Sequence, residues 1–187
     1  MLLHSSRQLP SWLTFNVSQE MSAAPKESPT DPERMRLIEA VSNEAAAYLG
    51  VDPMSDNPAS IVKAVDAAIV RIVFGEAVPI PESEEKDLVL GALWGAQMVR
   101  EFGWSWADMR FGETLDVAVV SPARDMAIYP FTFVTDCIAK RRVCTVELSF
   151  NMLRERKGET IFAAESYESV MMHVRHIVPP YALEKTG

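Results

Sequence analysis

The chain has few of the residues that staple small exported proteins: among 187 residues only Cys137 and Cys144 are cysteine, too few for a disulfide framework. Long hydrophobic runs are absent too. No segment reaches the ~20 uninterrupted apolar residues that a transmembrane helix needs. A secretory signal would need one continuous apolar stretch and a small-residue cleavage site. Residues 1–30, MLLHSSRQLPSWLTFNVSQEMSAAPKESPT, instead break their apolar residues with Ser, Arg, Gln and Pro. These absences predict a cytoplasmic protein with reduced thiols and no membrane contact. Glycine is scarce, at 8 residues, and Gly91 and Gly95 lie in a helical pattern with no Lys-Ser or Lys-Thr after them, so no phosphate-cradling loop is formed. Positive charge is also in deficit. Against 26 Asp and Glu stand 18 Lys and Arg, for a net charge of -8, which argues against a nucleic-acid surface, because phosphate neutralisation needs clustered cations.

What is present begins with apolar residues, 48% of the chain, enough at this length to bury the core of one domain. The acidity is uneven. Residues 31–81 carry four basic and eight acidic side chains, residues 82–112 carry three and six, and residues 113–187 are nearly balanced. The basic runs Lys140, Arg141, Arg142 and Arg154, Arg156, Lys157 suit helix C-termini, where the dipole favours cations.

Residues 1–30 read as a flexible tail, since their Ser- and Pro-rich end cannot repay the entropy of ordering, and residues 31–187 as a single domain. Three helices open that domain. Asp31-Pro32 and Asn57-Pro58 each set a capping side chain before a proline at the first helical position. Apolar residues then recur at helical spacing to Gly50 and to Gly75. The third helix opens with Glu82, Glu84, Glu85 and Asp87, acids placed where a helix N-terminus favours negative charge, and runs to about Phe102 with Gly103 ending it. Its apolar residues wrap most of its circumference, which predicts a central helix covered on several sides. Gly91 and Gly95 would let a neighbour approach its backbone.

Past Gly103 the period changes to alternation. Trp104 and Trp106, then Leu115 to Val120, then Met126 to Tyr129 read as a three-stranded antiparallel meander with turns at Gly112 and Arg124-Asp125. Pro130 starts a helix to Ala139, the spacing of Glu147, Asn151 and Glu155 favours another, and a last one leads through Val174. The fold class expected is α+β: N-terminal helices packed on a small antiparallel three-stranded sheet, with further helices at the C-terminus.

Four motifs in this order, Leu90 to Gly95, Gly103 to Trp106, Val119 to Pro122 and Ile128 to Phe131, resemble small bacterial α+β domains of unknown function. The resemblance covers a quarter of the chain. Such domains are similar to immunity partners of secreted bacterial toxins, which implies stoichiometric binding to a protein partner. It transfers no catalytic residues.

The chemistry-bearing residues are sparse. His173 and His176, three apart on a helix, can present two imidazoles to one metal, but no third ligand stands near in sequence. Cys137 or Cys144 would need a positioned base to act as a nucleophile. Asp108, Asp116 and Asp125 flank the strands, where acids usually satisfy backbone donors. No catalytic residue, cofactor or metal is therefore assigned. Partner binding is assigned to the acids Glu82, Glu84, Glu85 and Asp87, with Trp104 and Trp106 as aromatic anchors sharing one strand face. The expected function is a non-catalytic domain that neutralises a cytoplasm-acting bacterial toxin by direct binding. The alternative is an enzyme or ligand-binding accessory domain with its own pocket.

Overall fold

A computed structural model describes residues 25–178. The assignment of residues 1–30 to a tail lies mostly outside that range. Six helices and five strands follow in the order β1 (Lys26–Pro29), α1 (Pro32–Leu49), α2 (Pro58–Phe74), α3 (Lys86–Phe102), β2 (Ser105–Phe111), β3 (Thr114–Val120), β4 (Met126–Ile128), α4 (Pro130–Ala139), α5 (Val146–Glu155), β5 (Glu168–Ser169) and α6 (Val170–Ile177). The α+β class is as expected. The sheet is not three-stranded: it has five strands in the order β1-β2-β3-β4-β5. The antiparallel meander β2-β3-β4 is its centre. β1 pairs antiparallel with β2, placing Lys26 opposite Arg110, and β5 pairs parallel with β4. The helices are thus preceded by a strand, contrary to the expected order. β1 is four residues ending in proline and β5 is two, too short to show any period-2 pattern in the sequence.

The helix boundaries have local causes. Asp31 Oδ1 accepts from the amides of Glu33 and Arg34 at 2.9 and 3.2 Å, and Asn57 Oδ1 accepts from that of Ala59 at 2.9 Å. Both side chains thereby satisfy donors that a first helical turn leaves open. Gly50, Gly75 and Gly103 end the first three helices in the left-handed region, with φ of 66°, 78° and 67°, a conformation that costs glycine nothing.

α3 is the core. Leu90, Leu93, Trp94 and Met98 are fully buried, and Trp94 meets Phe133 of α4 edge to face at 5.6 Å. The two helical glycines are where neighbours press in. A Cβ at Gly95 would lie 2.5 Å from Trp106 Cζ2, and one at Gly91 would lie 2.9 Å from Phe131 Cδ1 and 3.2 Å from that residue's backbone. β2 and the start of α4 therefore rest on the α3 backbone. Strand register continues the pattern, pairing Trp106 with Val119 and Val119 with Ile128 on the helix side of the sheet. Ala107, Met109, Ala118, Val120 and Ala127 form a separate buried cluster with Phe111, Tyr129 and Tyr167 against it.

Ion pairs tie distant segments together. Arg34 of α1 bonds Asp108 of β2. Glu27 of β1 receives Arg124 at 2.8 Å and the Tyr167 hydroxyl at 2.7 Å, linking both edges of the sheet to the β3–β4 turn. Both basic runs find local partners: Lys140 and Arg142 pair with Asp136 at 2.7 and 3.2 Å, and Lys157 with Glu101 at 3.0 Å.

Candidate functional site

The cleft at the start of α3 is built by four segments. α2 contributes Ile72, the connector before α3 contributes Glu82 and Glu84, the first turn of α3 contributes Lys86 and Asp87, and α4 contributes Thr135, Ile138 and Ala139. Its volume is about 260 Å³. Helical spacing explains why α4 presents Thr135, Ile138 and Ala139 together while Phe133, Val134 and Cys137 turn inward. The floor is apolar and the rim acidic.

The rim is held by two short bonds. Lys86 Nζ at the start of α3 donates to Glu82 Oε1 of the preceding connector at 2.6 Å, and Thr135 Oγ1 donates to Asp87 Oδ2 at 2.6 Å, joining α4 to α3. Glu84 has no ion pair among those of the described residues. Glu85, the residue before the first turn, feels the crowding: burial, then the carboxylates of Asp87 and Glu84, raise its carboxyl above the usual range. Burial is the larger cause of that shift, and the two neighbouring carboxylates add to it. The arrangement is suited to receiving a cation whose apolar stem lies on Ile72 and Ile138.

Of the residues singled out by sequence, Glu82, Glu84 and Asp87 are thus brought together on one rim, and Glu85 lies beside them. Trp104 and Trp106 do face one side of β2, but it is the side that the helices cover. Trp104 is 6% exposed and packs on Phe102 at 6.0 Å, while Trp106 stacks on Phe131 at 5.7 Å above Gly95. Neither indole lines the cleft. The floor residues Ile72, Thr135, Ile138 and Ala139 carry no signal in the sequence beyond helical period, because only the packing of α4 against α2 and α3 brings them to the acids.

The other chemistry-bearing residues lie outside the cleft. Asp125 is the anchor of the β3–β4 turn: its carboxylate accepts from the Ser121 hydroxyl at 2.6 Å and the Ile161 amide at 2.9 Å. Burial acts to raise its carboxyl, but these bonds outweigh it and hold the group below the usual range. Asp116 is 7% exposed and accepts from the Thr132 hydroxyl at 3.0 Å and the Val117 amide at 2.7 Å; burial outweighs both bonds and lifts its carboxyl to about 6. It does not line the cleft. His173 stacks on Phe162 at 4.5 Å and bonds Glu168 at 3.1 Å, with the His176 ring 6.5 Å away. No group of three or more His, Cys, Asp or Glu among the described residues could hold a metal ion. No described helix is long and apolar enough to cross a membrane. No protein-family model, curated protein or solved structure matches the chain.

Proposed function

We propose that the protein is a non-catalytic binding domain, an immunity protein that neutralises a cytoplasm-acting bacterial toxin by direct contact, and that the cleft before α3 receives a basic side chain of that toxin. The observation that supports this reading is the pairing of an acidic rim with an apolar floor in a cleft of about 260 Å³. That is smaller than the roughly 300 to 1,000 Å³ of typical small-molecule sites but suited to one Arg or Lys side chain. The charge distribution agrees with it. Residues 31–112 carry a net -7 of the chain's -8, a field that speeds encounter with a basic partner such as the substrate cleft of a toxin acting on nucleic acid.

The accessory-domain reading draws on one observation, the buried and strongly perturbed Asp116, since such groups cluster at functional sites. Co-expression distinguishes the two. With a toxin encoded beside the gene, the chain should restore host growth and form an equimolar complex. Growth arrest despite soluble expression, with the chain recovered alone, would favour the accessory domain.

A further inference from the structure

Cys137 and Cys144, which the binding function does not use, stand together in the turn between α4 and α5. Cys137 lies in the last turn of α4 and is 1% exposed; Cys144 lies five residues past the end of that helix and is half-buried. The chain reverses between them. The Arg142 amide bonds the Cys137 carbonyl at 3.0 Å, and the left-handed Arg141, with φ of 49°, makes the bend. The Cys137 thiol then meets the Val143 carbonyl oxygen at 4.0 Å, in the peptide unit that leads into Cys144, so the turn brings the two cysteines side by side. Both are free.

We propose that Cys137 and Cys144 are a modification site: a thiol pair that a small peroxide converts into an intramolecular disulfide. Geometry gives each cysteine its part. Cys144, the more accessible, attacks the peroxide oxygen as thiolate, forming a sulfenic acid and releasing water from hydrogen peroxide. Cys137 attacks that sulfur, the S–S bond forms, and a second water leaves. Two thiols are oxidised and one peroxide is reduced to two waters. The contact with Cys137, then burial, hold the Cys144 thiol protonated, so the reaction is slow and quickens as pH rises, because the thiolate is the nucleophile. The bridge would pin the end of α4, whose Thr135 and Ile138 line the cleft.

Folded full-length protein treated with hydrogen peroxide, alkylated and measured as intact mass decides the matter. The expected product is monomeric, lighter by two hydrogens, takes up no alkylating reagent, and regains both reactive thiols on reduction. Cys137→Ser should instead stop with oxygen added at Cys144. Oxygen that peptide mapping places on Cys137 or Cys144 of the wild type, as distinct from the methionines that peroxide also oxidises, disulfide-linked dimers, or a bridge that forms only in denaturant would each overturn the proposal. The wild-type mass stands even where a serine variant fails to fold.

Discussion

Among single residues, Asp116 couples protonation to folding most directly. Burial pushes its carboxyl up to about 6 in the folded chain, above the ordinary aspartate value of about 4, so folding favours the protonated form. Its contribution is therefore fully favourable below the unfolded value and is lost as pH rises through the folded one. Asp116→Asn, uncharged throughout, should flatten the loss of stability between these values and leave the variant more stable than wild type at neutral pH by on the order of 2 kcal/mol. Urea denaturation at acidic and neutral pH measures this. Parallel wild-type and variant stabilities at both would mean that Asp116 is well solvated. Trp94 tests the core in the same way. It is fully buried, its indole nitrogen lacks a hydrogen-bond partner, and Phe133 meets its ring. Trp94→Ala should cost roughly 3 to 5 kcal/mol, and Trp94→Phe distinctly less, since it keeps an aromatic ring and removes the unpaired donor. A loss below about 1 kcal/mol for Trp94→Ala, measured by chemical denaturation, would contradict a core built on α3.

At the scale of elements, the fit of β2 against α3 is set by Gly95. An alanine there gains helix propensity of about 0.5 to 1 kcal/mol, but its Cβ would enter the Trp106 ring and approach Pro130 Cγ at 3.2 Å. Overpacking of this kind costs about 1 to 3 kcal/mol, so Gly95→Ala should be net destabilising, and more so than Gly91→Ala. A raised melting temperature for Gly95→Ala would mean that β2 does not rest on the helix. This helix was legible in the sequence because its acids, its all-round apolar pattern and Gly103 are local signals, and the same holds for the caps at Asp31 and Asn57. The edge strands were not legible. β1 and β5 exist only through pairing with β2 and β4, and through the Glu27 bonds to Arg124 and Tyr167, all of them contacts between residues far apart in the chain. The tryptophans show the same limit: alternation put Trp104 and Trp106 on one face, yet only the position of α3 decides that this face is covered. The acids of the cleft were legible as a charged helix start, whereas its floor depends on where α4 docks.

For the molecule as a whole, charge is expected to govern how fast a partner arrives, and packing in the cleft how long it stays. The four acids are not equivalent in this respect. Asp87 is bonded to Thr135 and Glu85 is partly desolvated, so reversing either disturbs the fold as well as the field. Glu82, with its side chain 91% exposed, and Glu84 are the cleaner sites. Glu82→Lys with Glu84→Lys should leave stability within about 0.5 kcal/mol per site, as surface substitutions do. The decisive measurement is the association rate of wild type and this double variant with the toxin encoded beside the gene, followed from low to physiological salt. The account predicts fast wild-type association that slows steeply with salt, and slower association with a shallower salt dependence for the variant. Equal rates and equal salt dependence for the two proteins, or no association at all, would contradict it.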